Sequence, residues 1–203
     1  MNTVIVATKN KHKVDEMAAL LCGGAEALEL VTMREAGFDC DIEEDGETFE
    51  ENALIKAREV CRISGKPAIA DDSGLAVDAL GGEPGIYSAR YASDNGENAS
   101  DEANIEKLLE NMKSIPGPER TARFVSAVAL VLPDGREFCA VGTCEGLITR
   151  EKRGNGGFGY DPIFFCPQFS KTFGEISAEE KNSISHRNRA VMQLREKISG
   201  IEF

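Results

Sequence analysis

No two of the six cysteines (Cys22, Cys40, Cys61, Cys139, Cys144, Cys166) form a C-x-x-C pair, and the chain has only two histidines. A thiolate zinc site and a disulfide framework are therefore both unsupported, and the thiols read as reduced, small buried hydrophobes of a cytoplasmic protein. Long apolar runs are missing as well. The start, "MNTVIVATKNKHK", holds an apolar stretch too short for a signal sequence, and nothing approaches a membrane span. Positive charge is in deficit: 23 basic against 35 acidic side chains leave a net charge of -12, which repels a nucleic-acid backbone. Internal repeats and low-complexity linkers are absent too. What the 203 residues do have is 41% hydrophobic content, enough to fill a core.

The pattern along the chain alternates strand and helix. "TVIVA" (3–7) reads as a strand, and Val14, Met17, Ala18 and Leu21 recur at helical spacing. Thr48 followed by Glu51 is a capping-box signature for a helix running to about Ser64, where Gly65 and Pro67 end it. "PAIADDSGLAVDAL" predicts a strand that breaks at Asp71 and Asp72 and resumes or turns after Gly74. Ser100 caps an amphipathic helix through Ile105, Leu108, Leu109 and Met112. "ARFVSAVALVL" and "EFCAVGTCEGLIT" flank the turn "PDG" and predict a long hairpin. "FGYDPIFF" turns into a short strand, and Ala190, Val191, Leu194 and Ile198 mark a final helix. Helices interleaved with strands and one hairpin argue for an α/β fold around a mixed sheet.

Two basic clusters break a local rule. Lys9, Lys11, His12 and Lys13 stand at one predicted helix start, and Lys181, His186, Arg187 and Arg189 at another, where the helix dipole disfavours cations. A strand, a loop and a helix N-terminus with lysines make an anion cradle; the ordinary alternative is a solvated basic stretch facing the protein's own carboxylates. The pair Asp71-Asp72 has a plain reading as a helix cap or turn, and a functional one as a metal-binding edge together with the acidic run Asp41, Glu43, Glu44 and Asp45. A hard cation takes one or two carboxylates plus phosphate oxygens. Acidic edge and cationic cradle together point to metal-dependent phosphate chemistry, without specifying base, sugar or the bond cut.

"ATKNKHK", "EEDGETFEENALIKA", "IADDSGLAVDALGGEPGIYSARYA", "GGFGYDPIFF" and "EKNSISHR", in this order and spacing, resemble the inosine triphosphate pyrophosphatase family over nearly the whole chain. The resemblance implies an α/β fold with a long curved mixed β-sheet and flanking helices, two lobes with a central cleft, a single domain over residues 1–203, and a homodimer. It implies Mg²⁺-dependent hydrolysis of deaminated purine nucleoside triphosphates (ITP, dITP, XTP) to monophosphate and pyrophosphate. Thr8, Asn10, Lys13 and Lys56 are implied phosphate contacts. Asp72 is the implied catalytic carboxylate and metal ligand, with Ser73 touching substrate, and the acidic pair at 43 and 44 is the second metal region. Adjacent residues in an extended segment face opposite ways, and Glu43 is taken as the one facing the ion. Phe158 is the implied stacking face for the purine, with Gly159, Tyr160 and Asp161 as pocket wall and Lys181, His186 and Arg187 along the purine edge. Lys9 and His12 stand where commoner members often have glycine. Two other readings stay open on the residues: a pyrophosphatase of other modified nucleotides, and a purine-binding module that cuts nothing.

Overall fold

The computed structural model describes residues 3–21 and 29–201; Cys22 lies outside them. Cys40, Cys61, Cys139, Cys144 and Cys166 are free thiols. Among the described residues no helix is long and apolar enough to cross a membrane.

Among the described residues seven strands form one mixed sheet in the order β2-β1-β3-β4-β5-β6-β7. The strands are β1 (Thr3–Val6), β2 (Glu29–Thr32), β3 (Ala68–Val77), β4 (Thr121–Val131), β5 (Glu137–Ile148), β6 (Phe164–Cys166) and β7 (Lys171–Thr172). β1 pairs in parallel with β2 and β3, whereas β6 pairs antiparallel with β5 and β7. Among the described residues five α-helices accompany them: α1 (Lys11–Leu21), α2 (Phe49–Ser64), α3 (Asp101–Asn111), α4 (Ala178–Ile184) and α5 (His186–Ile198).

The chain divides into two compact units. The first comprises residues 1–72, 126–142 and 186–203; the second comprises 73–125 and 143–185. The first holds two apolar clusters. One joins Val4, Val6, Met17 and Leu21 to Ala190, Val191, Leu194 and Ile198, so α1 and α5 bury their striped faces together. The other sets Ala53, Ala57 and Val60 of α2 against Ile5, Ala70, Ala127 and Ala129. The second unit packs Ile105, Leu108 and Met112 of α3 with Phe124, Phe164 and Phe173. Burial of these side chains at about 25 cal/mol per Å² is the main driving force in each unit.

Local signals act as their chemistry requires. Thr48 and Glu51 close a reciprocal capping box on α2, and Gly65 ends the helix in the left-handed conformation, φ 65°, open to glycine without a Cβ penalty. Ser100 caps α3, and the turn around Gly135 joins β4 to β5 as a hairpin. Two expectations are corrected. β3 does not break at the aspartates but runs through Asp71, Asp72, Ser73 and Gly74, because both charges are met by cations and need no cap or turn. Lys181 is not at a helix start either. It lies in the last turn of α4, where the dipole favours a cation, and α4 belongs to the second unit while α5, with His186, Arg187 and Arg189, belongs to the first.

Candidate active site

In the first unit, β1 leads into α1 through a turn that its own side chains hold. Thr8 Oγ1 accepts the Asn10 N–H at 3.2 Å, and Asn10 Oδ1 accepts the N–H groups of His12 and Lys13 at 3.0 and 3.3 Å. Asn10 thus caps α1, and both residues shape the cradle from which the ammonium of Lys13 projects. Lys13 reaches Asp71, with Nζ 2.9 Å from Oδ1 and 3.5 Å from the main-chain oxygen. Lys9 turns to the acidic segment, 2.7 Å from each of Asp39 and Asp41, whose hydrogen bonds hold its ammonium in the charged form.

Adjacent strand residues point to opposite faces, and the two aspartates have different partners. Asp71 has no exposed surface. Its carboxylate accepts Ser126 Oγ at 2.6 Å and the Arg187 guanidinium through Nε and a terminal nitrogen, both at 3.1 Å. Burial alone would raise its pKa; Arg187 and Lys13 outweigh it and hold the carboxyl well below the usual range. Arg187 is likewise wholly enclosed, with Glu16 as its second carboxylate. Arg187, expected along a purine edge, places its fork on Asp71 and Glu16 and so serves as an internal anchor of this unit.

Asp72 faces Lys56 and Glu44. Lys56 Nζ lies 2.8 Å from Asp72 Oδ1 and 2.8 Å from Glu44 Oε2. Burial opposes the charge on Lys56, and the two acids together outweigh burial. Burial also pushes the Asp72 carboxyl up, against the pull of Lys56 and Lys13, while Lys56 overcomes burial at Glu44 and draws that carboxyl down. The two neighbouring acids are thus pushed in opposite directions, Asp72 up by burial and Glu44 down by Lys56. Residues 41–46 alternate between exposed and half-buried, and the inward parity falls on Glu44. Glu43 is exposed and lines a separate surface hollow with Ile42, Ile55 and Arg58. Of the acidic pair at 43 and 44, it is thus Glu44 and not Glu43 that turns towards Lys56 and Asp72.

A divalent ion fits this donor set. Asp72 Oδ2 is buried and has no hydrogen-bond partner, the Glu44 carboxylate is close enough to interact with Asp72, and Lys56 shows that the pair already holds one cation. Among the described residues no cluster of three or more His, Cys, Asp or Glu is built to hold a metal. Two carboxylates completed by oxygens from water and phosphate are what Mg²⁺ prefers.

The second unit carries its own group. Lys181 Nζ is 2.6 Å from Asp161 Oδ2 and stands 4.7 Å from the centre of the Phe158 ring. Asp161 Oδ2 also accepts the Phe158 N–H at 2.9 Å. Gly157 has φ 73°, and a β-carbon there would stand 2.8 Å from Asp161 Cγ, so glycine is needed for the carboxylate to come this close. Beside it a hollow of about 440 Å³ is lined by Asp101, Lys152, Phe158 and Gly159. Tyr160 is not wall but core: it is buried, its hydroxyl donates to Ser88 O at 2.9 Å, and burial raises its pKa. Ser73 opens this unit on β3 and is half-buried.

His186 and Arg187 begin α5, whose N-terminus rests on the backbone of β5. A β-carbon at Gly142 would overlap the His186 carbonyl oxygen and the Ala190 nitrogen and stand 2.8 Å from Arg189 Cβ. Main-chain atoms cannot swing aside. Gly142→Ala is expected to push the helix start outward, loosen Arg187 from Asp71 and destabilise the protein by about 1 to 3 kcal/mol, an overpacking cost; a thermal melt at neutral pH checks it, and an unchanged midpoint contradicts it. Sequence reasoning missed Glu16, Ser126 and the glycine. The one available signal was Ser126, a lone polar residue inside the apolar run "FVSAVALVL".

Against known proteins, residues 4–197 match the model of the Ham1 family. A protein of Geobacter sulfurreducens named dITP/XTP pyrophosphatase is 48% identical over 204 residues, covering 100% of both chains. One of Halalkalibacterium halodurans with the same name is 50% identical over 194 residues, 96% of this chain and 97% of the other. Among solved structures, the Ham1 protein of Staphylococcus aureus superposes with a TM-score of 0.85 at 41% identity, over 99% of this chain and 100% of that one. A HAM1 protein from Coxiella burnetii gives 0.86 at 40%, over 98% and 99%.

Proposed function

Because the chain belongs to the Ham1 family, we propose that it hydrolyses deaminated purine nucleoside triphosphates (dITP, XTP and ITP) to the monophosphate and pyrophosphate. The observation that carries this reading is the buried, unpartnered Oδ2 of Asp72 beside Glu44 and Lys56, with the Lys13 ammonium near enough to pull on both acids. Asp72 and Glu44 would hold the divalent ion, Mg²⁺, which when bound would neutralise phosphate charge and polarise a phosphoryl oxygen. Asp72 accepts the proton of the attacking water as the new oxygen–phosphorus bond forms at the α-phosphorus. The bond to the bridging oxygen breaks, and Lys13 and Lys56 stabilise the charge on the departing pyrophosphate.

The purine is assigned to Phe158, Gly159, Asp161 and Lys181. Hypoxanthine and xanthine carry a carbonyl where adenine has an amino group. The Lys181 ammonium donates to the first and meets a second donor in adenine, and an unpaired buried donor costs about 1 to 3 kcal/mol. The reading keeps a homodimer, a cytoplasmic setting and the two units acting as one catalytic domain. Its test is pyrophosphate release from dITP, XTP, ITP, dATP, dGTP and dTTP, with Mg²⁺ and with EDTA. Deaminated purines are expected to exceed adenine by about tenfold or more in kcat/KM, the equivalent of 1.4 kcal/mol. A flat panel defeats the specificity, and no release from any nucleotide defeats the enzyme.

A further inference from the structure

Glu44 is carried on a segment that belongs to no strand or helix, so something else must hold its carboxylate on Lys56 and Asp72. The first turns of α2 do so. Glu51 Oε2 accepts the N–H groups of Glu47 and Thr48 at 2.7 and 3.2 Å, and Asn52 Oδ1 accepts the Gly46 N–H at 2.9 Å. Asn52 is 1% exposed, an unusual place for an amide side chain unless its contacts matter. The fit at Gly46 is tight: a β-carbon there would stand 2.7 Å from Asn52 Oδ1 and 2.7 Å from Glu51 Cβ. Asn52 and Lys56 are four residues apart, hence on one face of α2. One helix face thus carries both the cation that Glu44 pairs with and the amide that pins its loop.

We propose that Asn52 is a positioning residue, which by holding the Gly46 amide sets the Glu44 carboxylate beside Asp72 in the divalent-ion site. The inference rests on the reading of Glu44 and Asp72 as that site. Asn52→Asp keeps an acceptor oxygen in place; Asn52→Ala removes it; Gly46→Ala attacks the same contact from the loop side. Binding of Mn²⁺ as the probe is measured by calorimetry on the full chain, and exchange of the Gly46 amide by NMR. Outer-shell partners of a metal site typically govern 10 to 100-fold in affinity, so Asn52→Ala and Gly46→Ala are expected to weaken Mn²⁺ binding at least about tenfold and to speed Gly46 exchange, while Asn52→Asp stays within about threefold of the parent. A folded Asn52→Ala protein that binds Mn²⁺ like the parent overturns the proposal, as does an aspartate variant no better than alanine. If the parent itself binds no Mn²⁺, the divalent-ion reading falls. The positioning role is then decided by the exchange data, and an unchanged Gly46 rate in Asn52→Ala ends it.

Discussion

Asp71→Asn is expected to lower the free energy of unfolding by about 3 to 5 kcal/mol, the range for removing one partner of a buried ion pair. The substitution conserves shape, so no cavity contributes. What it removes is the charge that Arg187, fully enclosed, receives through two hydrogen bonds, together with the anchor of Lys13. Glu16 then remains as the carboxylate on Arg187. Urea unfolding at neutral pH measures the loss, and a value below about 1 kcal/mol, the scale of an exposed pair, would contradict the buried-anchor role. The pH dependence has a definite sign. The folded-state pKa of Asp71 is depressed, so its contribution is fully present above the unfolded value of about 3.9 and is lost as pH falls from there through the folded value. The gap between parent and variant should shrink on acidification and never widen.

Much of this architecture was legible because it is encoded within a few residues of itself. Thr48 and Glu51 form their box through one turn of backbone, and Ala190, Val191, Leu194 and Ile198 need only helical spacing to share a face. The hairpin around Gly135 is similarly local. What was illegible depended on partners far along the chain. Asp71 and Asp72 look like a stop signal until Lys13, Lys56 and Arg187, 116 residues away from Asp71, are known to meet them. Alternation along residues 41–46 was predictable, yet its parity was not, because Lys56 of α2 selects Glu44. Lys181 was grouped with His186 and Arg187 by nearness in sequence, whereas Ser185 separates two helices that belong to different units. Thr8 and Asn10 show a further limit: the motif singles them out, and only geometry shows that their side chains hold the turn.

Asp72→Asn is expected to lower turnover by about 10² to 10⁴-fold, the usual contribution of a positioned general base, while leaving the protein folded. An amide cannot take a proton from water, and its nitrogen turns a donor towards a site built for acceptors around a cation. Folding should survive because Lys56 keeps Glu44 at 2.8 Å and Asp72 carries a buried charge whose desolvation already works against it. The informative comparison is with Lys56→Ala. That change strips the cation from both acids and from the leaving group, so it should raise KM as well as depress kcat, whereas the Asp72 loss falls mainly on kcat. Equal effects of the two on KM, or an Asp72→Asn enzyme that keeps more than half its turnover, would move the proton-accepting role elsewhere. Glu44 would inherit it poorly: its carboxylate is partly exposed and held by Lys56 at 2.8 Å, whereas Asp72 keeps a buried oxygen without a hydrogen-bond partner.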